Sequence, residues 1–153
     1  MPDIIEILTR LLAAAIFGGV LGLEREYYGK SAGVRTYALV GIGSALFTLL
    51  SQFGFSGSGS DPTRIASQIV VGIGFLGAGL IIHRDVAHVE GLTTAAGLWV
   101  VASIGMAFGV GWYAVGILAA CITLIVLNVF GRVRYRMEHH EVASKSSKSS
   151  KSN

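Results

Sequence analysis

Residues 36–55 contain no charged side chain, and neither do residues 65–82. As helices, each run crosses about 30 Å of hydrocarbon. Three further apolar runs complete the pattern, at residues 4–23, 92–110 and 112–130, the last two separated only by Gly111. A water-soluble domain of 153 residues has no interior large enough to hide all of them. The charged share is 14%, against about 25% in soluble domains. The reading is an all-α, polytopic membrane helix bundle of about five transmembrane helices, with the lipid bilayer as its main solvent. The first run is the least regular, because it carries Glu6 and Arg10, which sit four apart on one helix face and can pair near an interface.

Orientation follows from the basic residues. With five spans, Arg25, Lys30, Arg35, Arg84 and the six lysines and arginines after residue 131 fall on one side, leaving only Arg10 and Arg64 opposite. The lysine- and arginine-rich side is cytoplasmic, so the N-terminus lies outside and the C-terminus is cytoplasmic. Tyr27 and Tyr28 at one boundary, and Trp112 and Tyr113 at the other, suit the headgroup level. Residues 1–136 form the transmembrane domain. Residues 137–153, which end in repeated serine and lysine, form a tail expected to be disordered. The basic residues sort by membrane side rather than onto one surface, so no nucleic-acid partner is expected.

One motif points elsewhere. Gly72, Gly74 and Gly77 fit G-x-G-x-x-G after an apolar run, with Glu90 downstream, as in a dinucleotide-binding turn. No alternation of strands and helices surrounds it, and the glycines lie inside an uncharged span. There Gly72, Gly74, Gly77 and Gly79 serve helix packing, as do the G-x-x-x-G pairs Gly18 with Gly22 and Gly105 with Gly109. The contacts run within the bundle or to a second copy, making a homodimer a candidate assembly.

Charges beside the spans carry more information, since burying one in hydrocarbon costs about 2.5–3.5 kcal/mol even on the lenient scale. Glu24 and Glu26 point about 200° apart on a helix, so each needs its own partner, for which Lys30 and Arg35 are candidates. Asp61 with Pro62 reads as the start of the third span, and Arg64 and Gln68 share its entry face. Thr93 and Thr94 open the fourth. His83 and His88 lack a third ligand at zinc spacing, so no metal and no cofactor are expected. No nucleophile is paired with a base, which argues against an enzyme.

Taken together, Glu24-Arg25-Glu26, the GKSAGVRT block at residues 29–36, DPTR at 61–64, GIGFLGAG at 72–79 and GLTTAA at 91–96 resemble the MgtC/SapB membrane domain. The likeness covers roughly residues 5–130, in the manner of a short member without the C-terminal soluble domain. It implies a bacterial inner-membrane protein of a virulence-associated family, linked to magnesium homeostasis, stress adaptation and membrane energetics. One implied partner is the proton-translocating ATP synthase. Carried over by this resemblance, the functional residues are Glu24, Arg25, Glu26, Arg35, Asp61, Arg64, Thr93 and Thr94, which Lys30 and Gln68 join by position. The expectation is a non-enzymatic regulator; the alternative is a small magnesium or proton transporter or channel.

Overall fold

The computed structural model describes residues 2–54, 61, 63–85, 88–129 and 131. The tail at 137–153 lies outside them. The five apolar runs are five helices: α1 (Ile4–Tyr27), α2 (Val34–Leu49), α3 (Arg64–Leu80), α4 (Leu92–Val110) and α5 (Tyr113–Val129). Among the described residues α1, α4 and α2 with its extension are long and apolar enough to cross a membrane, while α3 and α5 are shorter apolar helices. The G-x-G-x-x-G stretch lies in the middle of α3, with its backbone bonds closed inside the helix, and forms no phosphate-binding turn.

Two joints depart from the simple picture. α2 ends in a π-helical turn, Leu50–Gly54, and the segment after α3 pairs as a short antiparallel ribbon, β1 (Ile82–Asp85) with β2 (His88–Glu90). Gly91 leaves that ribbon at φ +90°, so close to the Leu80 carbonyl that a side chain has no room.

The core is a three-helix wedge of α1, α2 and α4, centred on Ala14, Leu21, Tyr37, Ala45, Leu98, Val101, Ile104 and Phe108. Glycine sets its spacing. A Cβ on Gly18 would fall 2.7 Å from the Tyr37 carbonyl, one on Gly22 2.6 Å from the Val34 Cα, and one on Gly109 2.7 Å from the Ala45 carbonyl. Gly105 meets the Gly41 carbonyl in the same way. Backbones this close gain dispersion contacts that lipid tails cannot match. α5 joins through Gly116, which faces the Phe108 ring, and Phe17 stacks on that ring at 5.3 Å.

α3 is different. Only Ile69, Ile73 and Gly77 are buried, and it leans chiefly on α4, with Gly77 opposite Ala95. Gly72, Gly74 and Gly79 meet nothing within 4 Å, so they pack against no other described helix of this chain. The spacing rule marks small residues but does not say which helix face has a neighbour.

Candidate functional site

Polar side chains gather at the two ends of the wedge. At one end stand the last turn of α1 and the first turns of α2 and α4. Arg25 is 4% exposed, and its guanidinium reaches Glu24 Oε2 at 3.4 Å, while its Nε has no partner among the described residues. Arg25 and Glu24 both lie within electrostatic reach of the Tyr37 hydroxyl. That hydroxyl donates to the Thr94 carbonyl at 3.3 Å and occupies a notch that exists because residue 97 is glycine. A buried tyrosine O–H requires an acceptor, and the main chain of α4 supplies it.

Glu26 turns the other way. Its Oε2 accepts from the Val34 N–H at 3.0 Å, capping α2 where Gly33 has no side chain to do so. Glu24 and Glu26 therefore do have separate partners, but these are Arg25 and a helix N-terminus. Lys30 and Arg35, the partners expected from sequence, are exposed and make no ion pair among the described residues. The open N-terminus of α2 lies within reach of Glu26 and competes with distant, solvated cations.

At the opposite end Arg10, 7% exposed, donates from Nη1 to the Gly109 carbonyl at 2.7 Å, pairs with Glu6 through Nη2, and lies over the Phe53 ring at 5.9 Å, while its Nε, like that of Arg25, has no partner among the described residues. α4 closes there with Trp112 N donating to the Ala107 carbonyl and Gly111 N to the Phe108 carbonyl, Gly111 being at φ +90°. This Schellman ending leaves the Gly109 carbonyl free, and Arg10 takes it. The π turn of α2 places Ser51, whose hydroxyl accepts from Ile65 N at 3.2 Å and Ala66 N at 3.4 Å. It thus caps α3 from a neighbouring helix.

Asp61 is not the N-cap of α3. Thr63 holds that position, and Asp61 Oδ1 accepts from Thr63 N at 2.9 Å and Thr63 Oγ1 at 2.7 Å. These two bonds, with Arg64 nearby, hold the fully exposed Asp61 carboxyl below its ordinary range. The helix begins two residues later than the aspartate-proline pair suggests, because Ser51 already serves its first free N–H groups. Arg64, Gln68 and Thr93 are exposed, and Thr94 is buried.

The structure thus brings together Glu24, Arg25 and Thr94, and leaves Lys30, Arg35, Asp61, Arg64, Gln68 and Thr93 on the surface. Tyr37 and Ser51 were not singled out from sequence; Arg10 was, as the partner of Glu6, and that pair forms, but its bond to the Gly109 carbonyl was not foreseen. A charge inside an apolar run was the signal for Arg10; Ser51 carries none, because its role depends on a π turn. Among the described residues no three of histidine, cysteine, aspartate and glutamate stand close enough to hold a metal.

Comparison with known proteins places this geometry. YhiD of Escherichia coli (strain K12), proposed by its name as a magnesium transporter, is 48% identical over 138 residues, covering 86% of this chain and 64% of that protein. Protein MgtC of Salmonella typhimurium (strain LT2) is 46% identical over 125 residues, covering 82% of this chain and 52% of MgtC. An uncharacterized Haemophilus influenzae protein is 36% identical over 135 residues, covering 84% of this chain and 57% of its own length. The chain thus spans between half and two thirds of these relatives. No solved structure matches it. The MgtC family profile matches residues 11–136, which take in the Arg25 end and, apart from Glu6 and Arg10, the opposite end, and this membrane protein belongs to the MgtC family.

Proposed function

We propose that the chain is a non-enzymatic, multi-pass protein of the bacterial inner membrane that supports growth in low magnesium by binding another membrane complex through its lateral helix faces. The Arg25 end faces the cytoplasm in this reading. The proton-translocating ATP synthase is the complex that the resemblance names. One observation carries the proposal: the α1–α2–α4 wedge is closed backbone to backbone along its length, while α3 keeps a bare glycine face. Between α2 and α3 runs a lateral groove of about 460 Å³, whose walls include Leu39, Gly43, Phe47, Gln68, Gly72 and Leu76. α2 to α5 hold no carboxylate. A strongly hydrated cation such as magnesium would find no carboxylate to replace its water between the two ends.

The second reading, ion transport, draws on the name of YhiD. Purified protein in liposomes and a cross-linking pull-down from intact membranes separate the two. The regulator shows no magnesium or proton flux and captures a membrane complex that Gly72→Leu releases. Flux that disappears in Arg25→Leu overturns it in favour of transport. Recovery of a second copy alone reassigns the face to a homodimer.

A further inference from the structure

The Ser51 hydroxyl, in the π turn that ends α2, fastens the start of α3 by accepting from Ile65 N at 3.2 Å and Ala66 N at 3.4 Å. Beyond that fastening the groove of about 460 Å³ separates the two helices as far as Leu39 on α2 and Leu76 on α3. Because the end of α2 meets the start of α3, the helices run antiparallel, and level positions can be counted from Ser51. Gly43 lies eight residues before Ser51 and Gly72 seven after Ile65, about 12 and 10 Å along their helices. The two glycines therefore line the groove at one level, one on each wall. Neither has anything within 4 Å of the place its Cβ would take. Where the other helices cross, the neighbouring main chain fills that place: the Tyr37 carbonyl at Gly18, Val34 at Gly22, the Ala45 carbonyl at Gly109. Two opposed glycines with open space between them are the same joint before contact is made.

The packing of α3 allows the contact to be made. Its buried residues Ile69, Ile73 and Gly77 recur every four positions, a seam along which it lies on α4, with Gly77 against the Ala95 methyl at 3.5 Å. Gln68, Gly72 and Leu76, on the groove wall, form the adjoining row, each one position before a seam residue. A roll about the seam lowers this row onto α2 and keeps the contact with α4. Two long bonds to a single rotatable hydroxyl leave the fastened end free to turn. The closed position gains dispersion between close backbones, which lipid tails do not match. Gln68 and Ser44 also stand on opposite walls, and neither side chain has a hydrogen bond among the described residues. Closure offers each a partner across the helices.

We propose that α3 is a two-position element: the structure holds it open, and a roll about the seam of Ile69, Ile73 and Gly77 closes Gly72 on Gly43 and abolishes the groove. Closure withdraws Gly72 and Leu76 from the lateral surface, so whatever docks in the groove selects the open form. The roll belongs to the single chain and does not depend on the regulator reading. The test places cysteines at Leu39 and Leu76, both exposed and level with each other at the far end of the groove, in the full chain carrying Cys121→Ala, one copy to each nanodisc. A disulfide needs Cα atoms within about 7 Å, which helices in glycine contact reach and helices with a groove between them do not. Oxidation should bridge Leu39→Cys to Leu76→Cys within the chain. Gly43→Leu, whose side chain has open space in the structure, should slow the bridge about tenfold by filling the groove, while thermal unfolding stays that of the parent. Gly72→Leu, on the opposite wall, should do the same, so that if one variant folds poorly the other decides. No bridge in the parent overturns the proposal, as does a bridge that forms at the parent's rate in both leucine variants. A bridge that appears only between chains, in nanodiscs holding two copies, also overturns it, because the cysteines then report on a dimer.

Discussion

Arg10 and Arg25 lie on one helix, fifteen residues and so about 22 Å apart, and both are buried. Their surroundings differ. Arg10 has a 2.7 Å bond to a carbonyl that no helix bond uses, a carboxylate one turn away and an aromatic ring beneath it. Arg25 has a long contact to its neighbour in sequence, Glu24, and the Tyr37 hydroxyl close by. The first arginine closes the end of α4, and its burial is compensated by the structure it completes. The second is buried beside a tyrosine hydroxyl and a glutamate at the cytoplasm-assigned end of the wedge, and completes no helix end. Buried charge with good partners marks architecture; buried charge with poor ones marks a place where something else is bound or sensed.

The largest effect that tests this contrast is Arg10→Leu. It strands the Gly109 carbonyl and leaves Glu6 without its cation, and should cost about 2–3 kcal/mol in detergent unfolding, with Arg10→Lys recovering part of the loss. Next comes a pair of glycines. Gly105→Ala forces α2 and α4 apart and should cost about 2 kcal/mol, whereas Gly72→Ala, with open space around it, should unfold at the same temperature as wild type or slightly above. Equal losses at the two sites would mean that the face of α3 is covered in the isolated chain.

Arg25→Leu combined with Glu24→Leu should change stability by less than about 1 kcal/mol, since replacing a whole buried ion pair with apolar side chains is often neutral, whereas either change alone strands the buried partner. Growth of a cell dependent on this chain in low magnesium should nevertheless fail. A stability loss as large as that of Arg10→Leu would erase the distinction between the two ends. The smallest effect belongs to Asp61. Its carboxyl titrates below the ordinary 3.8, so its contribution is complete above that pH and is lost as pH falls through the lowered value. Hydrogen exchange at the start of α3 should quicken in that acid window and not at neutral pH, and Asp61→Asn should remove the step.

The helices were legible because hydrocarbon allows few alternatives: an uncharged run of twenty residues can satisfy its backbone only as a helix. The opposed directions of Glu24 and Glu26 were legible from helical period alone. Their partners were not, because Glu26 answers a vacancy created by Gly33 eight residues away and across a turn. The glycine pattern showed the same limit. Gly18 and Gly72 look alike in sequence, yet one touches the main chain of α2 and the other faces outward. Tyr37 followed from nothing local, since its importance comes from Thr94 and Gly97 on another helix.

The bond between Arg10 and Gly109 spans ninety-nine residues of chain. Translation adds about 5–20 residues per second, so on the order of ten seconds separate synthesis of the guanidinium from synthesis of its acceptor. During that interval α1 must hold a cation at the edge of the hydrocarbon with only Glu6 beside it, tilting or sliding so that the charge stays among the headgroups. α1 therefore reaches its final depth only once α4 has arrived to draw it in.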